Sequence, residues 1–207
     1  MSFKNVKLES ISEKGSYGIG LQIGQQLLDS QMDIMVEAVA KGIFDALNHN
    51  QPALDMNDLM TSVQQLQQQA AEAQQAQFKV IEEEGKVFLA ENAKKDGVNI
   101  TDSGLQYEII TEGKGAKPSA TDKVRVHYIG TLPNGTVFDS SVARGQPAEF
   151  PVNGVIRGWV EALQMMPVGS KWKLTIPHEL AYGERGAGAS IPPFSPLVFE
   201  VELLDIL

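Results

Sequence analysis

Of the ten prolines in this chain, only Pro52 precedes Pro118; the others all fall between Pro118 and Pro196. Proline lacks a backbone donor and breaks helix interiors. The proline-poor stretch is therefore open to long helices, and the proline-punctuated remainder is not. The side chains divide at the same place. Residues up to about 100 are rich in Ala, Gln, Leu and Met, which favour helix. Beyond them, Val, Ile, Phe and Tyr alternate between Gly and Pro turns, as in antiparallel sheet. The fold class read from this is α+β, with the change of texture at residues 97–104 (GVNITDSG).

The first part predicts three helices, from about Ser12 to Asp29, Asp33 to Leu47 and Asp55 to Lys95. In the third, Leu59, Val63, Leu66, Ala70 and Ala73 recur at spacings of four and three, and Gln77, Val80, Glu84 and Val87 continue the row. So narrow a stripe cannot wall a large core. Gln77 and Glu84 on the seam disfavour a coiled coil along its whole length. The Gln-rich middle, VQQLQQQAAEAQQAQ, suits a solvated spacer helix roughly 60 Å long. The expected organisation is a helical domain over 1–54, a long linking helix over 55–97 and a sheet domain over 98–207.

Gly18, Gly20 and Gly24 form a G-x-G-x-x-x-G spacing within SYGIGLQIGQQLL. A dinucleotide loop needs a buried strand before its glycines and an acidic residue about 20 positions on. Upstream is the polar ISEKGS, and downstream DIMVEAVAKGIF has a helical pattern. Ser16, Gly20 and Gly24 repeat every four positions instead, which gives one helix face a surface that a second backbone can approach. Ile34, Met35, Val39, Ile43 and Phe44 have too little of their own chain to pack against. These helices are therefore expected to complete their core with a second copy, as a homodimer.

A formal net charge of -9 and a sequence pI near 4.8 argue against nucleic acid and anionic membrane surfaces as partners. There are no cysteines, so thiol chemistry is excluded. The three histidines, His49, His127 and His178, show no metal-ligand spacing, and there is no G-x-S-x-G elbow or Walker loop. No metal and no cofactor are expected. MSFKNVKLESISEKGSYG contains no apolar run of signal-peptide length, which favours the cytoplasm, the alternative being the periplasm if a signal peptide is missing from this chain.

The second part is dense in aromatic and branched residues beside turns: RVHYIGTLPNGTVFDSS, PAEFPVNGVIRGWVEAL, LAYGERGAGASIPP and PLVFEVELL. In order and spacing, over about residues 104–207, these segments resemble the FKBP family of macrolide-binding peptidyl-prolyl isomerases. The helical part is similar in architecture to the dimerising arm of the bacterial Mip-like branch. The resemblance implies a twisted antiparallel sheet wrapped around one short helix, here Ile156 to Leu163. It implies Trp159 as pocket floor and Tyr128, Phe138, Phe150, Val155, Ile156, Ile191 and Phe199 as walls. Asp139, Arg144 and Tyr182 would supply polar groups near the substrate carbonyls, with Asp139 and Tyr182 as the catalytic pair. One departure is Ala148, where single-domain members often carry an aromatic, and it bears on macrolide affinity. The small residues of GAGAS (186–190) suggest a mobile loop over the pocket.

The activity so implied is rotation about X-Pro bonds in folding proteins, with no bond to the protein required. Unfolded or partly folded proline-containing chains would be the substrates, and macrolides such as rapamycin the inhibitors. Two pockets in one dimer would form a cleft that holds unfolded chains, as a chaperone does. The alternative is a catalytically weak scaffold with the same fold. Retention of all the pocket aromatics argues against it.

Overall fold

Helix α1 (Ile11–Asp29) starts at a reciprocal cap: the Ser10 hydroxyl accepts the Glu13 N–H at 3.2 Å and the Glu13 carboxylate accepts the Ser10 N–H at 2.8 Å. Gly18, Gly20 and Gly24 thus lie inside a helix and form no loop. The computed structural model describes residues 6–207; residues 1–5, at the start of the expected arm, lie outside the described residues. Helix α2 (Val36–Leu47) begins three residues later than the pattern predicted, because Met35 is extended. It ends where the Asn48 side-chain amide donates to the Phe44 carbonyl at 2.7 Å. Helix α3 runs Met56–Asn92, 37 residues and about 55 Å.

The chain divides into two units within α3, Met1–Gln77 and Phe78–Leu207. In the first, α1 and α2 bury no residue completely. Tyr17, Leu21, Leu28, Met35, Phe44 and Leu47 stand exposed. Among the described residues, and beyond the adjoining backbone of α1 itself, no atom comes within 4 Å of a Cβ placed on Gly18, Gly20 or Gly24. The close helix crossing expected of this face is not made within one copy of the chain.

In the second unit the sheet is antiparallel throughout. Its seven strands are β1 (Val98–Ile100), β2 (Gln106–Thr111), β3 (Lys123–Thr131), β4 (Val137–Ser140), β5 (Ala148–Pro151), β6 (Lys171–Ile176) and β7 (Leu197–Ile206). The order is β1-β2-β6-β7-β3-β4, and β5 also pairs with β3. One edge of β3 is shared: Lys123–Val126 pair with β5, and Ile129–Thr131 with β4. Alternate residues Val124, Val126 and Tyr128 of β3 face the core with Phe199, Val201 and Leu203 of β7. The short helix α4 (Arg157–Met165) buries Gly158, Trp159, Ala162 and Leu163 in that core. Gly158 is required by a close approach, since a Cβ there would lie 2.6 Å from Ile176 Cγ2. The expected sheet wrapped around one short helix is thus present.

The last part of α3 belongs to this unit. Its inward face is Phe78, Ile81, Gly85, Phe88, Leu89 and Asn92, of which Gly85 and Asn92 are buried. This corrects the row predicted from sequence. Val80 and Val87 are exposed, because the packed face is set by the Gly85 contact and lies one residue on. The helix end is pinned by polar bonds. The Asn92 amide donates to Gln106 Oε1 (2.9 Å) and Thr175 Oγ1 (3.2 Å), and Gln106 Nε2 donates to the Leu89 carbonyl (2.9 Å). Between Met56 and Gln77 no residue of α3 is buried, as expected of a solvated spacer.

Candidate active site

The pattern of β3 places Tyr128 inward, beside the indole of Trp159 from the first turn of α4. Trp159 is 4% exposed and is boxed by three rings near perpendicular to it. Tyr128 lies at 5.3 Å between centroids, Phe199 at 5.2 Å and Phe150 at 6.0 Å. Phe138 of β4 closes the far side, edge-on to Phe199 at 5.5 Å. These edge-to-face packings are the favoured aromatic geometry. Together with Asp139, Gly154, Val155, Ile156 and Tyr182 the rings line a cavity of about 460 Å³. A larger cavity, about 1030 Å³, lies in the first unit along α1 and α2; its lining is mostly apolar, with Tyr17 and Asp33 its titratable residues.

At the rim three polar groups form a closed set. The Tyr128 hydroxyl donates to Asp139 Oδ2, and Arg144 Nη1 donates to Asp139 Oδ1. Arg144 Nη2 also donates to the Tyr128 oxygen at 2.9 Å, with its guanidinium 5.7 Å from the Tyr128 ring centre. Burial works against ionisation of Asp139, but the bonds from Tyr128 and Arg144, with the charge of Arg144, outweigh it and hold the carboxyl below its usual range. Burial, and then the bond to Asp139, push the Tyr128 phenol up. At neutral pH the site therefore holds a carboxylate and a protonated phenol.

The run FDSS builds this set. Phe138 and Asp139 point into the cavity. Ser140 Oγ accepts the Ala143 N–H at 3.0 Å, which turns the chain so that Arg144 returns over Asp139. Ser141 is fully buried, and its Oγ accepts the Tyr128 N–H at 2.8 Å, fixing β4 against β3. Gly130 leaves room for the walls, since a Cβ there would meet Phe138 and Phe199 at 2.7 and 2.8 Å. Ser140, Ser141, Gly130 and Gly154 were not singled out from sequence. The close spacing of FDSS and the Gly within VHYIG were the available signals.

Of the residues expected at the site, Tyr128, Phe138, Asp139, Phe150, Val155, Ile156, Trp159, Tyr182 and Phe199 converge on the cavity. Arg144 joins through its hydrogen bonds. Ile191 is buried in the core and paired with Ala187, but is not among the lining residues. That same pairing closes the GAGAS turn.

Residues 114–204 match the FKBP-type peptidyl-prolyl cis-trans isomerase family, and residues 12–109 match the domain amino terminal to FKBP-type peptidyl-prolyl isomerase. The FKBP-type 22 kDa peptidyl-prolyl cis-trans isomerase of Escherichia coli (strain K12) is 59% identical over 200 residues, covering 96% of this chain and 97% of that one. The chain is an FKBP-type peptidyl-prolyl cis-trans isomerase. Among other relatives, the outer membrane protein MIP of Legionella longbeachae is 40% identical over 203 residues, with 96% of this chain and 87% of that protein covered. The crystal structure of FkpA from Escherichia coli superposes with a TM-score of 0.71 at 34% identity, over 96% of this chain and 97% of that one. As a member of this family, the enzyme catalyses cis-trans rotation about X-Pro bonds. Among the described residues, no helix is long and apolar enough to cross a membrane.

Proposed function

We propose that the cavity over Trp159 is the site of X-Pro rotation, with Asp139 and Tyr182 as its catalytic residues. The observation that carries this is the carboxylate of Asp139, fixed by Tyr128 and Arg144 at the rim of a cavity lined otherwise by aromatic rings, Gly154, Val155 and Ile156. The barrier to rotation is about 18–20 kcal/mol, because amide resonance is lost at the twisted state. A rate gain of about 10⁶ needs roughly 8 kcal/mol of differential stabilisation. The planar amide is the more polar form, so water stabilises it and a water-poor pocket does not. Trp159, Phe150 and Phe199 hold the proline ring while the preceding carbonyl turns. Tyr182 donates a hydrogen bond to a substrate carbonyl. Asp139, already engaged by two donors, acts as a fixed negative charge beside the rotating carbonyl and not as a base. Arg144, Phe138, Val155 and Ile156 complete substrate binding, and Ile191 supports the wall from behind.

The same cavity is the proposed seat of macrolides such as rapamycin. The proposed assembly is a homodimer through α1 and α2, supported by their uncovered apolar faces. Its substrates are unfolded or partly folded proline-containing chains, which a dimer can hold at two pockets. The direct test follows isomerisation of proline tetrapeptides with and without rapamycin. Turnover abolished by rapamycin, and lowered about tenfold or more in Asp139→Ala and Tyr182→Phe with the fold kept, is the expected result. Full turnover in both variants would remove these assignments.

A further inference from the structure

Tyr182 is 42% exposed, so packing alone does little to fix its ring. The backbone behind it is held instead. The Gly183 carbonyl accepts the Phe194 N–H at 2.9 Å, and this bond ties the end of the loop to its start. Phe194 has a φ of +61°, a left-handed conformation that a bulky residue keeps only where its surroundings impose it. Those surroundings are two rings. Phe78 of α3 lies 5.9 Å away between centroids, and His178 lies 5.4 Å away, in the short turn just before Tyr182. Two residues on, Pro196 packs on α3 where a Cβ at Gly85 would come within 2.9 Å of its Cδ. The helix can bear this load because Asn92 anchors it to β2 and β6.

We propose that the last part of α3, through Phe78 and Gly85, is a positioning element for the pocket: it holds Phe194 in its left-handed conformation and thereby sets Tyr182. The helix that reads as a spacer is at this end a support for the pocket. The inference rests on the assignment of Tyr182 to the reaction. Without the Phe78 ring, Phe194 relaxes to an ordinary backbone region. Its bond to Gly183 is lost, and Tyr182 samples orientations from which it cannot meet the substrate carbonyl. Trp159, Phe150 and Asp139 belong to other elements and keep their geometry, so substrate still binds.

The test is a double-mutant cycle in the full chain, with kcat and KM measured separately on a proline tetrapeptide. Phe78→Ala is expected to lower kcat about fivefold and leave KM within about twofold. Phe78→Tyr restores kcat. In a Tyr182→Phe background, Phe78→Ala has no further effect, whereas a general loosening of the domain would multiply the two losses. Gly85→Ala adds one methyl against Pro196 and shows the same dependence with a smaller loss, which covers the case in which Phe78→Ala does not fold. Wild-type kcat in folded Phe78→Ala and Gly85→Ala, or losses that multiply with Tyr182→Phe, would overturn the proposal. A silent Tyr182→Phe would instead remove the assignment of Tyr182 itself, and the coupling with it.

Discussion

At Asp139 the local forces oppose one another: burial favours the neutral acid, and the two donors favour the anion and win. A carboxyl whose folded value is depressed contributes stability that is fully present above its unfolded value. That stability is lost as pH falls through the folded value. The ordinary value is 3.8, so the acid limb lies below it. Tyr128 has the opposite sign of dependence. Its folded value is raised above 10.0, so the phenol remains a donor until strongly alkaline pH. Isomerisation is therefore expected to be flat from about pH 5 to 9. Carboxyl titration followed by NMR should place the Asp139 midpoint under its ordinary value, and Arg144→Ala should move it upward. A midpoint unmoved by that change would mean that Arg144 does not set the charge state. The pair is more than 40% exposed on both sides, so added salt should weaken it. Asp139 and Arg144 could be singled out in sequence because FDSS and its neighbours form a family pattern. Ser141 could not, because a buried serine pinning a strand looks like any other serine until its partner across the sheet is known.

Among the elements, α4 shows how a close contact overrides local propensity. Alanine at position 158 would favour the helix by about 1 kcal/mol over glycine. The added methyl, however, would lie 2.6 Å from Ile176 Cγ2, and Ile176 is branched and fully buried. Overpacking of this kind costs about 1–3 kcal/mol. The clash wins, and Gly158→Ala should lower the thermal midpoint by about 2–4 °C, measured by circular dichroism. A raised midpoint would show that α4 can slide away from β6 cheaply. Helix and strand identity was legible because proline spacing and the alternation of β3 and β7 are local signals. The inward face of α3 was not. A stripe extended from Leu59 predicts Gln77, Val80, Glu84 and Val87, whereas Phe78, Gly85 and Asn92 are the residues in contact. A glycine and an asparagine carry no apolar signal. Their partners, Pro196, Gln106 and Thr175, are remote in sequence.

For the whole molecule, the decisive feature is the groove along α1 and α2, lined by Gly20, Leu21, Gly24, Leu27, Val39 and Ile43. Contiguous apolar surface of this kind marks an interaction site. A stable interface buries about 800 Å² on each side, which two helices with exposed apolar side chains can supply. The glycines admit a second backbone where a side chain would hold it off, and the proposed homodimer places a second copy there. Sedimentation at micromolar concentration should give a dimer. Ile43→Asp should give a monomer, because a charge in that groove has no partner when buried. The proposed catalytic cavity is lined by residues 128–199 and supported from α3 only from Phe78 on, remote in sequence from Ile43, so the monomeric variant should turn over tetrapeptides within about twofold of the parent. Proline-limited refolding of a whole protein is a different load. A long chain bound at one pocket meets the second at high effective concentration only while two copies are joined, and that gain can reach 10² or more. The Ile43→Asp monomer should therefore refold such a protein at least about tenfold less efficiently at equal pocket concentration. If monomer and dimer refold it equally well, the arm serves some purpose other than holding a chain at two pockets.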